Sequence, residues 1–286
     1  MILKKQLLWL LLFLSSVFYT QAQSTTTDFA WSRKEFQSPQ SKTVLVTAHR
    51  GAHNDFPENS IAGFKRAIEL GVDVIELDVR QTKDGVSILM HDRRVDRTTN
   101  GKGPVDSLTF DEIRKLRLKH NGAVTEHQVP TLEEALTLAR EKVLVDLDMK
   151  TRNVDAVLQA IKKTKTEKTV IFFVYSPDHI NMVKKMNSDF LTLVRTQRVS
   201  QIDSVFARAK TEAVHIDPSQ YTPQATQKIK NSNARVWINT LGEVDKKAVA
   251  SGTGAYEEFL KNGANIIQTD YPQLLLEFLR KKGLHR

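Results

Sequence analysis

His49 and His91 are of the residue type best suited to moving protons near neutrality, because an imidazole's ordinary pKa lies there. His49 closes a short apolar run, Thr43–Ala48, and is followed by Arg50, whose planar fork suits a phosphate or a carboxylate. Glu76 and Asp78 stand two apart in the run Val74–Val79, so on a strand they share a face, with Cα atoms about 6.6 Å apart. Asp146, Asp148 and Lys150 repeat that spacing at the end of Val143–Asp148, offering a third carboxylate in Asp148 and a point charge for a phosphate in Lys150. Carboxylates this close repel and need a proton or a cation between them. Hard oxygen donors suit Ca²⁺, Mg²⁺ or Mn²⁺. Each residue also has a plainer use: Glu76 and Asp78 as ion-pair partners of Arg50, Arg80 or Lys150, and Asp148 with Lys150 as a simple pair inside the fold.

Positioning such groups together requires a scaffold. From Thr43 onward β-branched runs alternate with helical patterns, as in βα units and a parallel sheet. Eight strands are expected: Thr43–Ala48, Val74–Val79, Val143–Asp148, Val170–Tyr175, Leu191–Arg195, Ala213–Ile216, Arg235–Asn239 and Asn265–Thr269. Helical segments at Ser60–Leu70, Leu132–Arg140 and Tyr256–Asn262 lie between them, with Gly71 and Gly263 placed as left-handed caps. Eight strands in about 240 residues predict a single (β/α)₈ TIM barrel, whose chemistry gathers at the C-terminal ends of the strands. Asp84-Gly85 predicts a β-hairpin inserted after the second strand. A two-residue turn there pairs positions summing to 169, which sets His91 opposite Asp78. The two histidines, the carboxylates, Arg50 and Lys150 then meet at one mouth, a set able to cleave a phosphodiester by acid/base and charge-stabilising catalysis.

The stretches His49-Arg50-Gly51, Pro57-Glu58-Asn59-Ser60, Glu76-Leu77-Asp78-Val79, Thr82-Lys83-Asp84-Gly85, His91-Asp92 and Arg97-Thr98-Thr99-Asn100-Gly101-Lys102-Gly103 resemble the glycerophosphodiester phosphodiesterase family. Pro130-Thr131-Leu132-Glu133-Glu134 and Thr269-Asp270-Tyr271-Pro272 continue the likeness, while residues 151–233 carry no diagnostic motif. The resemblance implies a barrel with His49 and His91 as acid/base pair, Glu76, Asp78 and Asp148 as metal ligands, and Arg50 and Lys150 on the phosphate. It implies metal-dependent hydrolysis of glycerophosphodiesters to glycerol 3-phosphate and an alcohol. In the family's usual reaction the neighbouring glycerol hydroxyl attacks phosphorus, and water then opens a cyclic phosphate. Glu58 falls in the Pro-Glu-Asn signature and is expected to orient Arg50 or the metal site.

Two positions depart from the family pattern. Asp148 stands where Glu is usual, about one methylene shorter, so the metal is expected to shift, keep an extra water or bind more weakly. Trp237 is followed by Ile238-Asn239-Thr240 where the family has Trp then Thr, with Asn two residues further on. Trp237 is expected to wall the substrate pocket, with ordinary core as its other use. His53, His120, His127, His179, His215 and His285 are expected to be structural or solvent groups, with His53 beside the site and His215 on a barrel strand. Oxygen-only ligands and a roomy site tilt the metal expectation slightly to Ca²⁺ over Mg²⁺.

The 286-residue chain has no cysteine, which excludes disulfides, thiolate metal sites, cysteine nucleophiles and a lipid-modified leader. Its net charge of +9 is dispersed, without the basic stripe or interleaved aromatics of a nucleic-acid binder. Lys4 and Lys5, the apolar run from Gln6 to Phe18 and the small residues at Thr20-Gln21-Ala22 read as a cleaved signal peptide over residues 1–22. The run is short for the roughly 20 residues of a spanning helix, so no membrane span is expected after cleavage. An uncleaved anchor is the alternative. Residues 23–42 are expected to form a linker or an N-terminal wrap, and residues 43–286 the barrel. The expected protein is an exported enzyme, periplasmic or secreted, acting on small glycerophosphodiesters. Phospholipase-type cleavage of intact lipids and a non-catalytic phosphate-ligand binding barrel are the alternatives. The sequence does not specify an oligomeric state.

Overall fold

The computed structural model describes residues 29–286. The signal-peptide assignment at 1–22 lies outside the described residues, as does the first part of the 23–42 segment. The strands are β1 (Leu45–Ala48), β2 (Val74–Gln81), β3 (Ser87–Leu89), β4 (Lys119–His120), β5 (Ala123–Val124), β6 (Leu144–Met149), β7 (Val170–Val174), β8 (Leu191–Thr196), β9 (Ala213–Ile216), β10 (Arg235–Asn239) and β11 (Ile266–Thr269). Strands β1, β2 and β6 to β11 pair in parallel, and β1 meets both β2 and β11, which closes an eight-stranded barrel. Helices fill the connections and bury their apolar stripes against the strands, as parallel strands covered on the outside require. In the helix Ile61–Leu70, Ser60 caps the N-terminus and Gly71 (φ 86°) supplies the left-handed residue that ends it.

Strand β2 runs past the barrel rim and pairs antiparallel with β3. The register differs by one from the expected two-residue turn, because Val79 faces Leu89 and Arg80 faces Ile88. Thr82 N donates to Val86 O and Gly85 N to Thr82 O, so three residues form the loop, and Gly85 (φ 85°) takes the left-handed position. Met90, not His91, therefore bonds to the backbone of Asp78. The hairpin is the start of a larger insertion that runs to the helix Leu132–Ala139. It includes the β4–β5 ribbon and a small core of Ile88, Met90, Val95, Val105, Ile113, Leu118 and Val129.

The barrel interior below the mouth is filled by Leu45, Val74, Leu144, Ile171, Leu191, Ala213, Trp237 and Ile266. Phe36 packs into this cluster from below, on a helix spanning Phe29–Phe36. This part of the expected linker is thus a plug. Its eight residues bury only Ser32 and Phe36, one turn apart, which is too little to show a clear period in the sequence. The fully buried Arg235 fastens it by donating to Glu35 O (2.6 Å), Thr43 O (2.5 Å) and Asn265 O (2.7 Å). Among the described residues, no helix is long and apolar enough to cross a membrane.

Candidate active site

At the opposite end of the barrel a cavity of about 100 Å³ is lined by His49, Arg50, Glu76, Asp78, His91 and Asp148. Asp146, Arg195, His215, Trp237 and Asn239 complete most of its wall. The strand ends explain the grouping. β2 lies between β1 and β6, and Glu76 pairs in register with Asp146 and Asp78 with Asp148. The two-residue alternation then turns all four acids inward.

One oxygen from each of Glu76, Asp78 and Asp148 lies within 4.8 Å of the others. Facing them are two cations. Lys150 Nζ lies 2.5 Å from Asp148 Oδ2 and 3.4 Å from Asp78 Oδ1, while Arg50 Nε lies 3.3 Å from Asp78 Oδ2. Asn59, in a left-handed conformation (φ 55°), donates to Asp78 Oδ2 and accepts from Asp78 N. Arg50 N donates to Glu76 Oε2 (2.9 Å). Burial, with the charges of Asp78, Asp148 and Asp146, still raises the Glu76 carboxyl well above its ordinary value. Asp146 is raised in the same way, burial first and then Asp148 and Asp78, and its Oδ1 has no hydrogen-bond partner. Glu76, Asp78, Asp146 and Asp148 crowd a closed space, and the all-oxygen donor set of Glu76, Asp78 and Asp148 fits a hard divalent cation.

Each histidine is held through Nδ1 by a carboxylate. His49 Nδ1 meets Asp270 Oδ1 at 2.7 Å, and His91 Nδ1 meets Asp92 Oδ1 at 2.9 Å. Nε2 is then the nitrogen left to a substrate in both cases. Burial pushes the His49 imidazole below its ordinary value, against the opposing pull of Asp270. Burial acts to raise Asp270, but hydrogen bonds from His49 and His53 outweigh it and hold the carboxyl well below the usual range. Asp245 accepts from Asp270 N and Thr269 Oγ1 at 2.8 Å each, and from Tyr256 OH at 3.0 Å. Asp270 therefore stands on a braced loop at the end of β11. His53 Nε2 contacts the same Asp270 oxygen at 2.8 Å, which places His53 at the edge of the site.

Glu58 links the two sides. It accepts from Arg50 Nη1 (3.2 Å) and, in a two-pronged pair, from Arg97 Nη1 (2.7 Å) and Nη2 (2.8 Å). Arg97 Nε also donates to Asp92 (2.7 Å), the carboxylate that holds His91. The Pro-Thr-Leu-Glu-Glu stretch has a different use. Thr131 and Glu134 form a reciprocal cap at the start of the helix Leu132–Ala139. Trp237 is both core and wall: it is buried, lines the cavity, and donates from Nε1 to Asn239 Oδ1 (3.0 Å). His215 also lines the cavity; burial first, then Arg195, pushes it down to about 4 against an opposing pull from Asn239.

Asp270, Asp146 and His215 are the residues that sequence reasoning did not place in the site. Strand alternation points to Asp146, which shares a face with Asp148. Asp270 lies in the Thr269-Asp270-Tyr271-Pro272 stretch, but nothing local assigns it a role, because it meets His49 across 221 residues only as β11 closes against β1.

A closed (β/α)₈ barrel with acids and histidines at the C-terminal ends of its strands has the active-site placement of TIM-barrel enzymes. Within it, residues 49–273 match the glycerophosphoryl diester phosphodiesterase family, and the chain belongs to that family and so to the phosphodiester hydrolases. It is 34% identical over 251 residues to a glycerophosphodiester phosphodiesterase of Caldanaerobacter subterraneus subsp. tengcongensis, covering 84% of this chain and 99% of that one. A glycerophosphoryl diester phosphodiesterase crystal structure from Parabacteroides distasonis superposes with a TM-score of 0.77 at 25% identity, covering 90% of this chain and 93% of that one. The fold is also similar to an Oleispira antarctica phosphodiesterase solved with the product sn-glycerol-3-phosphate (TM-score 0.70, 19% identity, 87% of this chain and 99% of that one).

Proposed function

We propose that the protein hydrolyses soluble glycerophosphodiesters to glycerol 3-phosphate and an alcohol, with His49 and His91 exchanging the protons. The observation that carries this reading is a single cavity lined by both histidines, Arg50 and three clustered carboxylates. Glu76, Asp78 and Asp148 would hold a divalent cation, with Ca²⁺ slightly favoured over Mg²⁺ because it accepts looser oxygen geometry. When bound, it would supply Lewis-acid stabilisation of the charge that builds on the phosphoryl oxygens.

His49 is the base of the first step. Burial favours its neutral imidazole, and Asp270 would compensate the positive charge that forms. Nε2 takes the proton of the glycerol hydroxyl beside the phosphodiester as that oxygen bonds to phosphorus. The bond from phosphorus to the alcohol oxygen breaks, and His91 gives its proton to the departing alkoxide. Water then opens the cyclic phosphate with the two roles reversed. Arg50 and Lys150 compensate the phosphate charge. The inner wall of His215, Asn239 and Trp237 is the polar surface left to the glycerol half. Release into the periplasm or the medium, after removal of residues 1–22, is part of this proposal.

Cleavage of bilayer lipids has little physical support. Among the exposed large apolar side chains of the described residues (Val124, Tyr175, Met182, Met186 and Val249) none lines the cavity, and Tyr175 is in edge contact with Phe173, which does. Phe56 packs its ring on His127 instead of forming a rim. Glycerol 3-phosphate release from glycerophosphocholine, measured with Ca²⁺, with Mg²⁺ and with a chelator, tests the reading. Metal-dependent release is expected; equal release under chelation would refute the role given to the carboxylates.

A further inference from the structure

A second cleft, of about 500 Å³, opens beside the active-site cavity. Arg80, Lys83, Arg93, Lys150 and Arg152 line it, with Asp106 as the one acid. It is built by the β2–β3 hairpin, the chain after β3 and the end of β6. The two spaces share a wall. Lys150 reaches from the cleft to Asp148, and Arg80 donates through Nε and Nη2 to His91 O at 3.0 and 2.6 Å.

Arg50, Arg97 and Arg114 each face a carboxylate. Among the described residues Arg80, Lys83, Arg93 and Arg152 make no ion pair. Asp106 is the one carboxylate in the lining against Arg80, Lys83, Arg93 and Arg152, so this wall carries an excess of positive charge. Unpaired cations gathered in one concave surface attract an anion, and guanidinium forks suit a phosphate. The phosphate undergoing cleavage is already served by Arg50 and Lys150. The cleft adjoins His91, the group that protonates the leaving alcohol, so an anion held there belongs to the alcohol half. None of the five exposed apolar side chains lines the cleft, which favours a soluble ligand over a bilayer.

We propose that the Arg80/Lys83/Arg93/Arg152 cleft binds a phosphomonoester on the alcohol half, so that the preferred substrates are glycerophosphodiesters whose alcohol is itself phosphorylated. This rests on the diesterase reading above. The test compares glycerophosphoinositol with glycerophosphoinositol 4-phosphate, a pair differing by one phosphate. Binding to the Ca²⁺-loaded His49→Ala protein is measured by calorimetry, and turnover is measured with the unmutated enzyme. The phosphorylated diester is expected to bind about tenfold more tightly, equivalent to about 1.4 kcal/mol, with a preference that shrinks as salt is raised. Adding Arg93→Ala and Arg152→Ala, both exposed positions, brings the ratio of the two dissociation constants to about one. A thermal melt checks that this variant is folded, and the salt dependence tests the proposal without any substitution.

Equal affinities for the two diesters in the unaltered cleft would overturn the proposal. So would capture by phosphatidylinositol 4-phosphate vesicles without discrimination between the soluble diesters, which would assign the cleft to a lipid headgroup. Phosphate-dependent binding with no glycerol 3-phosphate released from either diester would support the cleft as an anion site and overturn the diesterase reading alone.

Discussion

Asp270 holds His49 and His53 on one carboxylate oxygen and is itself pinned from behind by Asp245. In the proposed reaction its part is to fix the His49 ring, so that Nε2 faces the substrate, and to stabilise the imidazolium that would form. Asp270→Ala should lower kcat by about a hundredfold or more, as loss of an orienting carboxylate does elsewhere. It should also move the acid limb of the kcat/KM profile to lower pH, because removing the carboxylate leaves burial unopposed in depressing the His49 pKa. A fall in kcat with an unmoved acid limb would reduce Asp270 to a structural prop. Chemistry at the level of single residues was legible wherever it was local. Glu76 and Asp78 share a strand face, Asp148 and Lys150 repeat the pattern, and their convergence follows from adjacent parallel strands. Asp270 and His215 were not legible in this way. One depends on barrel closure, and the other sits in an apolar run where a buried histidine reads as core.

The elements carry their own lesson. All eight barrel strands were visible as β-branched runs, and Ala213–Ile216 and Arg235–Asn239 have the bounds expected. The hairpin register was not, because Asp-Gly fits both a two-residue turn and the three-residue loop that forms, and the difference of one residue reverses which side chains face which. His91 nevertheless reaches the cavity, since Arg80 clamps its carbonyl and Asp92 its ring. The plug helix was hidden because its main anchor is one aromatic ring. Phe36→Ala should cost about 3–5 kcal/mol, the usual loss for a large ring removed from a packed core. Chemical denaturation would show it; a loss under about 1 kcal/mol would mean that the plug is dispensable to the barrel.

In the whole molecule the two ends of the barrel divide the work. The upper end gathers acids, histidines and unpaired cations, while the lower end is stapled by buried polar groups. At the base, Asp73 accepts from Ser32 Oγ (2.9 Å) and Val46 N (2.8 Å), and His285 Nε2 lies 2.9 Å from it. This joins the plug, the first strand and the C-terminus. Burial acts to lower the His285 pKa, but Asp73 outweighs it and the net shift is upward. A raised imidazole value stabilises the fold fully below the unfolded value of about 6.5, and the contribution fades as pH rises through the folded value. The melting temperature of the wild type relative to His285→Gln should therefore be higher near pH 5.5 and converge on the variant's above neutrality. A difference independent of pH would remove the charged pair from the account.

The central claim is that His49 and His91 exchange the protons in one metal-assisted site. It is tested most directly by single-turnover glycerol 3-phosphate release from glycerophosphocholine in Ca²⁺, comparing the wild type with His49→Ala and His91→Ala. Each variant should bind the substrate, melt within a few degrees of the wild type and lose at least about a hundredfold in rate. Rates within tenfold of the wild type in both variants would contradict the two-histidine mechanism.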